Sequence, residues 1–121
     1  MKTSLQALRE MGKTELHELE NRLDVLLEHL LKIKHVKGNV GAENLRGWKI
    51  SVENQQIQLI DLIEGNPGLK PKVTDTLIDN VHRSVAARVK EQYPNVPFPQ
   101  SRRMSMEEIV GNELMEMLRR R

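Results

Sequence analysis

The chain has 121 residues, 38% hydrophobic and 30% charged, with a formal net charge of +2. That balance suits one globular domain over residues 1–121 and excludes wholesale disorder. The absence of cysteine excludes disulfide scaffolds, thiolate zinc sites and cysteine nucleophiles. With one Trp, one Tyr and one Phe, the core is left to Leu, Ile, Val and Met, and single-strand base-stacking platforms are excluded.

The N-terminus, MKTSLQALREMGKTEL, has no apolar run of signal-peptide length, and no stretch approaches the roughly 18–20 apolar residues of a membrane span. A cytoplasmic protein is expected. Ser4 before LQALREM and Gly12 after it frame a short N-terminal helix, read from N-cap and C-cap chemistry. Such a piece must dock on something to be stable.

The next helix is the clearest. Thr14 is a plausible N-cap, and Leu16, Leu19, Leu23, Leu26, Leu30 and Ile33 recur at alternating spacings of three and four. Leu27 and Leu31 widen this to a stripe that suits packing against two neighbours. KGNVG at 37–41 breaks the helix. A third helix runs from about Ala42 to Glu64, with Leu45, Trp48, Val52, Leu59 and Ile63 on one face. Ile57 and Ile60 broaden that face, and Gln55 or Gln56 fills its gap. GNPG at 65–68 is a dense stop signal.

Pro71 suits the first turn of a fourth helix, which carries Val73, Leu77, Val81, Val85 and Val89, with Ile78 beside them, and ends near Gln92. YPNVPFPQ at 93–100 has three prolines and reads as an extended strap. Ser105 and Glu108 have capping-box spacing and open a last helix that ends in Arg119, Arg120 and Arg121. No internal repeat or strand pattern emerges. The fold class is all-α: an antiparallel bundle of three long helices, a short N-terminal helix, and a C-terminal helix after the strap.

The runs LREMGKTELHELENRLDVLLEHLLKIKH and NLRGWKISVENQQIQLIDLIEGNPGLKPKV resemble the bacterial domain-of-unknown-function 29 (DUF29) family, common in cyanobacteria. The matching features are Gly12-Lys13, the helix from Arg22 to Lys32, the stretch from Trp48 to Gln55, and the turn Pro67-Gly68-Leu69-Lys70. The strap and capped last helix fit as well, so the resemblance spans roughly residues 5–118. It implies an α-helical bundle and no particular activity. The sequence departs from the pattern at Ile33, where the family often has Trp. A further N-terminal helix, usual in the family, is expected to be lacking, which would leave a groove for a second copy or a partner helix.

Each group of residues that could carry chemistry also has a reading as packing or solvation. His17, His29, His35 and His82 form no His-x-x-x-His or Glu-x-x-His pair, so no metal site is expected. His29 and Glu53 fall at similar heights in the hairpin. With Gln56 and Trp48 they are expected to form a buried polar cluster, read first as a packing feature and only second as a catalytic pair. His35, among lysines at a helix end, is expected to be exposed. Lys32, Lys34, Lys37, Arg46, Lys49, Arg102 and Arg103 compose a possible basic patch for phosphates. The competing reading is that cations favour helix C-termini and solvated faces. The serines show no nucleophile context, and no cofactor motif occurs. Met104, Met106, Met115 and Met117 crowd the last helix, as core or as an adaptable surface.

The expected function is a small non-catalytic interaction module, self-associating as a dimer or binding a partner helix, with no membrane contact. The alternatives are a nucleic-acid-associated regulator using the Lys/Arg clusters, and an enzyme centred on His29 and Glu53.

Overall fold

The computed structural model describes residues 4–99, 102 and 104–120, with side chains from residue 14 onward. Helices account for all the regular structure among them: α1 (Ser4–His35), α2 (Gly38–Gly65), a 3-10 turn (Pro67–Lys72), α3 (Asp75–Gln92), α4 (Met106–Val110) and α5 (Asn112–Arg119). No helix among the described residues is long and apolar enough to cross a membrane.

α1 is the centre of the fold and packs along both α2 and α3. Its leucines explain why. Leu19, Leu23, Leu26, Leu27 and Leu31 are essentially inaccessible, and Leu16, Leu30 and Ile33 are half-buried around them. A stripe this wide cannot be covered by one neighbour. The expected short N-terminal helix is not separate, because α1 runs through Gly12 without a break. A glycine inside a helix costs about 1 kcal/mol relative to alanine, too little to stop a helix that long-range packing stabilises.

The chain reverses over Val36 and Lys37. The Val36 amide still donates to the Lys32 carbonyl at 3.0 Å, and its side chain is buried. Gly41 closes the corner. A Cβ there would fall within van der Waals contact of the Val36 carbonyl oxygen and 3.0 Å from its carbonyl carbon. Helix α2 therefore starts at Gly38, earlier than Ala42. It returns along α1 with Trp48, Leu59 and Ile63 buried.

Between α2 and α3 the Asn66 side chain donates to the Leu62 carbonyl at 2.9 Å, and Leu69 is buried beneath the 3-10 turn. Pro71 belongs to that turn and not to the fourth helix. The cap of α3 is Thr74, whose hydroxyl accepts from the Leu77 amide at 3.1 Å. The buried face of α3 is Ile78, His82, Val85, Ala86 and Val89; Leu77 and Val81 are half-buried beside it.

The strap is anchored by Phe98 and Met104, both buried. Ser105 caps α4, accepting from the Glu108 amide at 3.1 Å. The last helix is split in two at Gly111, whose φ of +92° lies outside the range most side chains adopt. Gln56 of α2 donates to the Ile109 carbonyl at 3.0 Å and fills the space beside Gly111. Met106, Met115 and Met117 pack against the core, so these methionines are core components.

Candidate functional site

Helical phase decides what α1 and α2 bring together around His29. The ring is half-buried, and its Nδ1 lies 2.7 Å from the Val25 carbonyl one turn back. Glu53 points to solvent and makes no hydrogen bond or ion pair among the described residues. Gln56 turns the other way, to α4. Trp48 is buried in the core. The expected buried cluster of His29, Glu53, Gln56 and Trp48 is therefore corrected: equal height along a hairpin does not make two side chains face each other.

Polar contacts concentrate on the far side of α1 and on the strap. Arg88 of α3 reaches α1 with both guanidinium nitrogens, at 2.6 and 3.1 Å from the two oxygens of Asp24, and lies 3.5 Å from Glu28. Its pKa is raised, first by the hydrogen bonds it donates to Asp24. Glu28 also pairs with Lys32 at 3.8 Å. The result is a bidentate link between two helices, of the geometry that favours arginine over lysine.

The strap carries a second link. Arg102 donates to Asp75 at 2.6 Å and lies 3.2 Å from Asp79, both on the first turns of α3. Its side chain is largely covered, and one terminal nitrogen is buried without a partner. Beneath it sits His82, only 2% exposed. Burial lowers the His82 pKa; Asp79 opposes this, while Arg102 and His35 reinforce it. His35 is half-buried, not exposed as expected, and meets Phe98 edge-on with ring centres 5.7 Å apart. A surface cavity of about 330 Å³ opens beside Phe98, lined by Arg83, Ala86, Ala87 and Lys90.

The expected basic patch is scattered. Lys32 pairs with Glu28, Lys34 with Glu108 at 3.6 Å, and Arg102 with the two aspartates. Lys37 donates to the Ile33 carbonyl at 3.2 Å. Arg103 lies outside the described residues. Lys37, Arg46 and Lys49 are exposed and without an ion pair among the described residues. No group of three His, Asp or Glu residues among those described could hold a metal ion.

One feature the sequence reading assigned to the core lies outside it. Ile57 is 57% exposed, and Ile50 and Val40 are 47% and 49% exposed. All three are on α2. At 100° per residue, Val40, Glu43, Gly47, Ile50, Asn54, Ile57 and Asp61 fall within an arc of about 100°. This arc is turned away from α1, which covers Trp48, Leu59 and Ile63. It sets Val40, Ile50 and Ile57 among polar and charged neighbours, with Ile50 and Ile57 one heptad apart, a spacing that helical pairing uses.

Fold and surface together define a class: a packed all-α protein built around one long central helix, with its apolar exposure concentrated on the outer face of the second. Within that class the chain belongs to the family of the domain of unknown function DUF29, whose profile matches residues 4–115. Neither the curated proteins nor the solved structures gave a significant match.

Proposed function

We propose that this protein is a non-catalytic protein-interaction module whose binding surface is the outer face of α2. A cytoplasmic setting in a bacterial cell is part of the same proposal, suggested by the family resemblance. The observation that carries the reading is the row Val40, Ile50 and Ile57, the large hydrophobic side chains left exposed among the described residues. Single exposed apolar residues are ordinary on a protein surface, but an aligned set on one helix face marks a contact site. Association through such a face removes apolar area from water at roughly 25 cal/mol per Å², and an amphipathic helix is the natural complement.

The test is a photo-crosslinking residue placed at Ile57 in the full chain, expressed in its native cells, with a control at the exposed Glu91 of α3. A discrete adduct from position 57 and none from position 91 is the expected result. Equal, diffuse labelling from both positions refutes the reading.

A further inference from the structure

The charges around the α2 row are largely segregated along the helix. Arg46 and Lys49 lie in its N-terminal half, together with Glu43; Glu53, Asp61 and Glu64 follow in its C-terminal half, and all six are exposed. None of them makes an ion pair within the chain among the described residues. By contrast, Arg22, Lys32, Lys34, Arg88 and Arg102 all have carboxylate partners. The charges beside the exposed apolar row thus have no carboxylate or cation of their own chain to meet among the described residues.

We infer that the occupant of this face is a second copy of the same chain, its α2 laid antiparallel on the first about a two-fold axis between Glu53 and Asn54. The inference rests on the interaction-module reading and names its partner. A two-fold interface must be self-complementary. With the axis there, Ile50 of each copy meets Ile57 of the other, and Arg46 of each lies across from Asp61 of the other. A parallel arrangement sets Arg46 against Arg46 and Asp61 against Asp61, so charge selects the antiparallel one. Glu43 faces Glu64 of the other copy at the two ends, which weakens the pairing there. Asn54, near the axis on the apolar arc, offers an amide whose self-pairing fixes register.

The experiment is sedimentation equilibrium of the full chain from about 1 to about 500 μM, spanning the affinities that a small helix–helix interface gives. The expected mass rises from 14.0 kDa toward twice that value. Ile57→Asp, and separately Ile50→Asp, hold the chain at the monomer mass while far-UV circular dichroism stays unchanged. Arg46→Glu weakens association at least tenfold, because each two-fold interface contains the pair twice. Asp61→Arg alone does the same. The double variant R46E/D61R recovers association to within about threefold of wild type, as a swapped pair requires.

A wild-type chain that stays monomeric overturns the inference, as does a dimer indifferent to both isoleucine variants or a double variant that fails to recover. The two readings fail separately. A monomer in solution whose position 57 still crosslinks to a different protein in cells removes the self-pairing and leaves the module reading standing.

Discussion

Replacing Gly41 with alanine tests whether the hairpin corner is as tight as it looks. In an exposed helix this change stabilises by up to about 1 kcal/mol, because alanine is the better helix former. At Gly41 the added methyl meets backbone: the carbonyl oxygen of Val36 lies within its van der Waals radius and the carbonyl carbon is 3.0 Å away. Backbone cannot swing aside as a side-chain tip can. Either the corner opens, separating α2 from α1 near Val36, or bond angles absorb the overlap. Overpacking of this kind costs about 1–3 kcal/mol, so the propensity gain is offset and the net effect is a loss of about 0–2 kcal/mol. Gly47 is the internal control. It lies in the same helix with nothing within 4 Å of its absent Cβ, so Gly47→Ala should raise stability. The assay is urea denaturation followed by circular dichroism, at a concentration low enough to keep the chain monomeric. The opposite order, with Gly41→Ala at least as stabilising as Gly47→Ala, would refute the account of the corner.

Three further outcomes follow from the same geometry. The buried His82 has a lowered pKa, chiefly through burial. Well above pH 6.5 neither state of the chain protonates it. As pH falls below 6.5 the unfolded chain binds a proton that the native chain resists, so stability falls, with a limiting slope of about 1.4 kcal/mol per pH unit. His82→Leu should flatten that part of a urea-midpoint-versus-pH curve, and an unchanged curve would remove His82 as its cause. Arg88→Ala breaks a partly exposed bidentate link to Asp24. It should lower stability by about 1 kcal/mol, an effect reduced by salt and measurable by a double-mutant cycle with Asp24→Asn. Thr74→Ala removes the cap of α3 and should cost about 1 kcal/mol in thermal or urea denaturation.

The helical class and the α1 stripe were legible because leucines at alternating three- and four-residue spacings have few other readings. Helix ends were less so. Gly12 resembled a stop but is overridden by the packing of α1, whereas Gly111 was passed over inside an apolar pattern and splits the last helix. On α3 the valines at four-residue spacing drew attention to Val81 and away from His82. The set Ile78, His82, Val85 and Val89 has the same four-three-four spacing as the leucine helix, and that signal could have placed His82 in the core. Ile57 was misassigned because the apolar stripe of α2 is wider than the surface α1 offers it. The links from Arg88 to Asp24 and from Arg102 to Asp75 and Asp79 join residues distant in sequence, and no local pattern foretells which cation finds which acid.

The distribution of charge now bears on where function lies. Arg88, Arg102 and Lys34 each hold a different element to the rest: α3 to α1, the strap to α3, and α1 to α4. Their positive charge is neutralised locally, which weakens any phosphate-binding role for them. Among the described residues His29 has only a backbone partner and Glu53 none, so the two do not form a proton-transfer pair with each other. On the outer face of α2, exposed apolar residues and charges without an ion pair among the described residues lie side by side. The cations of α2 stand toward its N-terminal end, and Glu53, Asp61 and Glu64 toward its C-terminal end, with Glu43 the exception. The antiparallel copy we infer sets Arg46 against Asp61, and that is the reason to look for function on the α2 face before the hairpin interior.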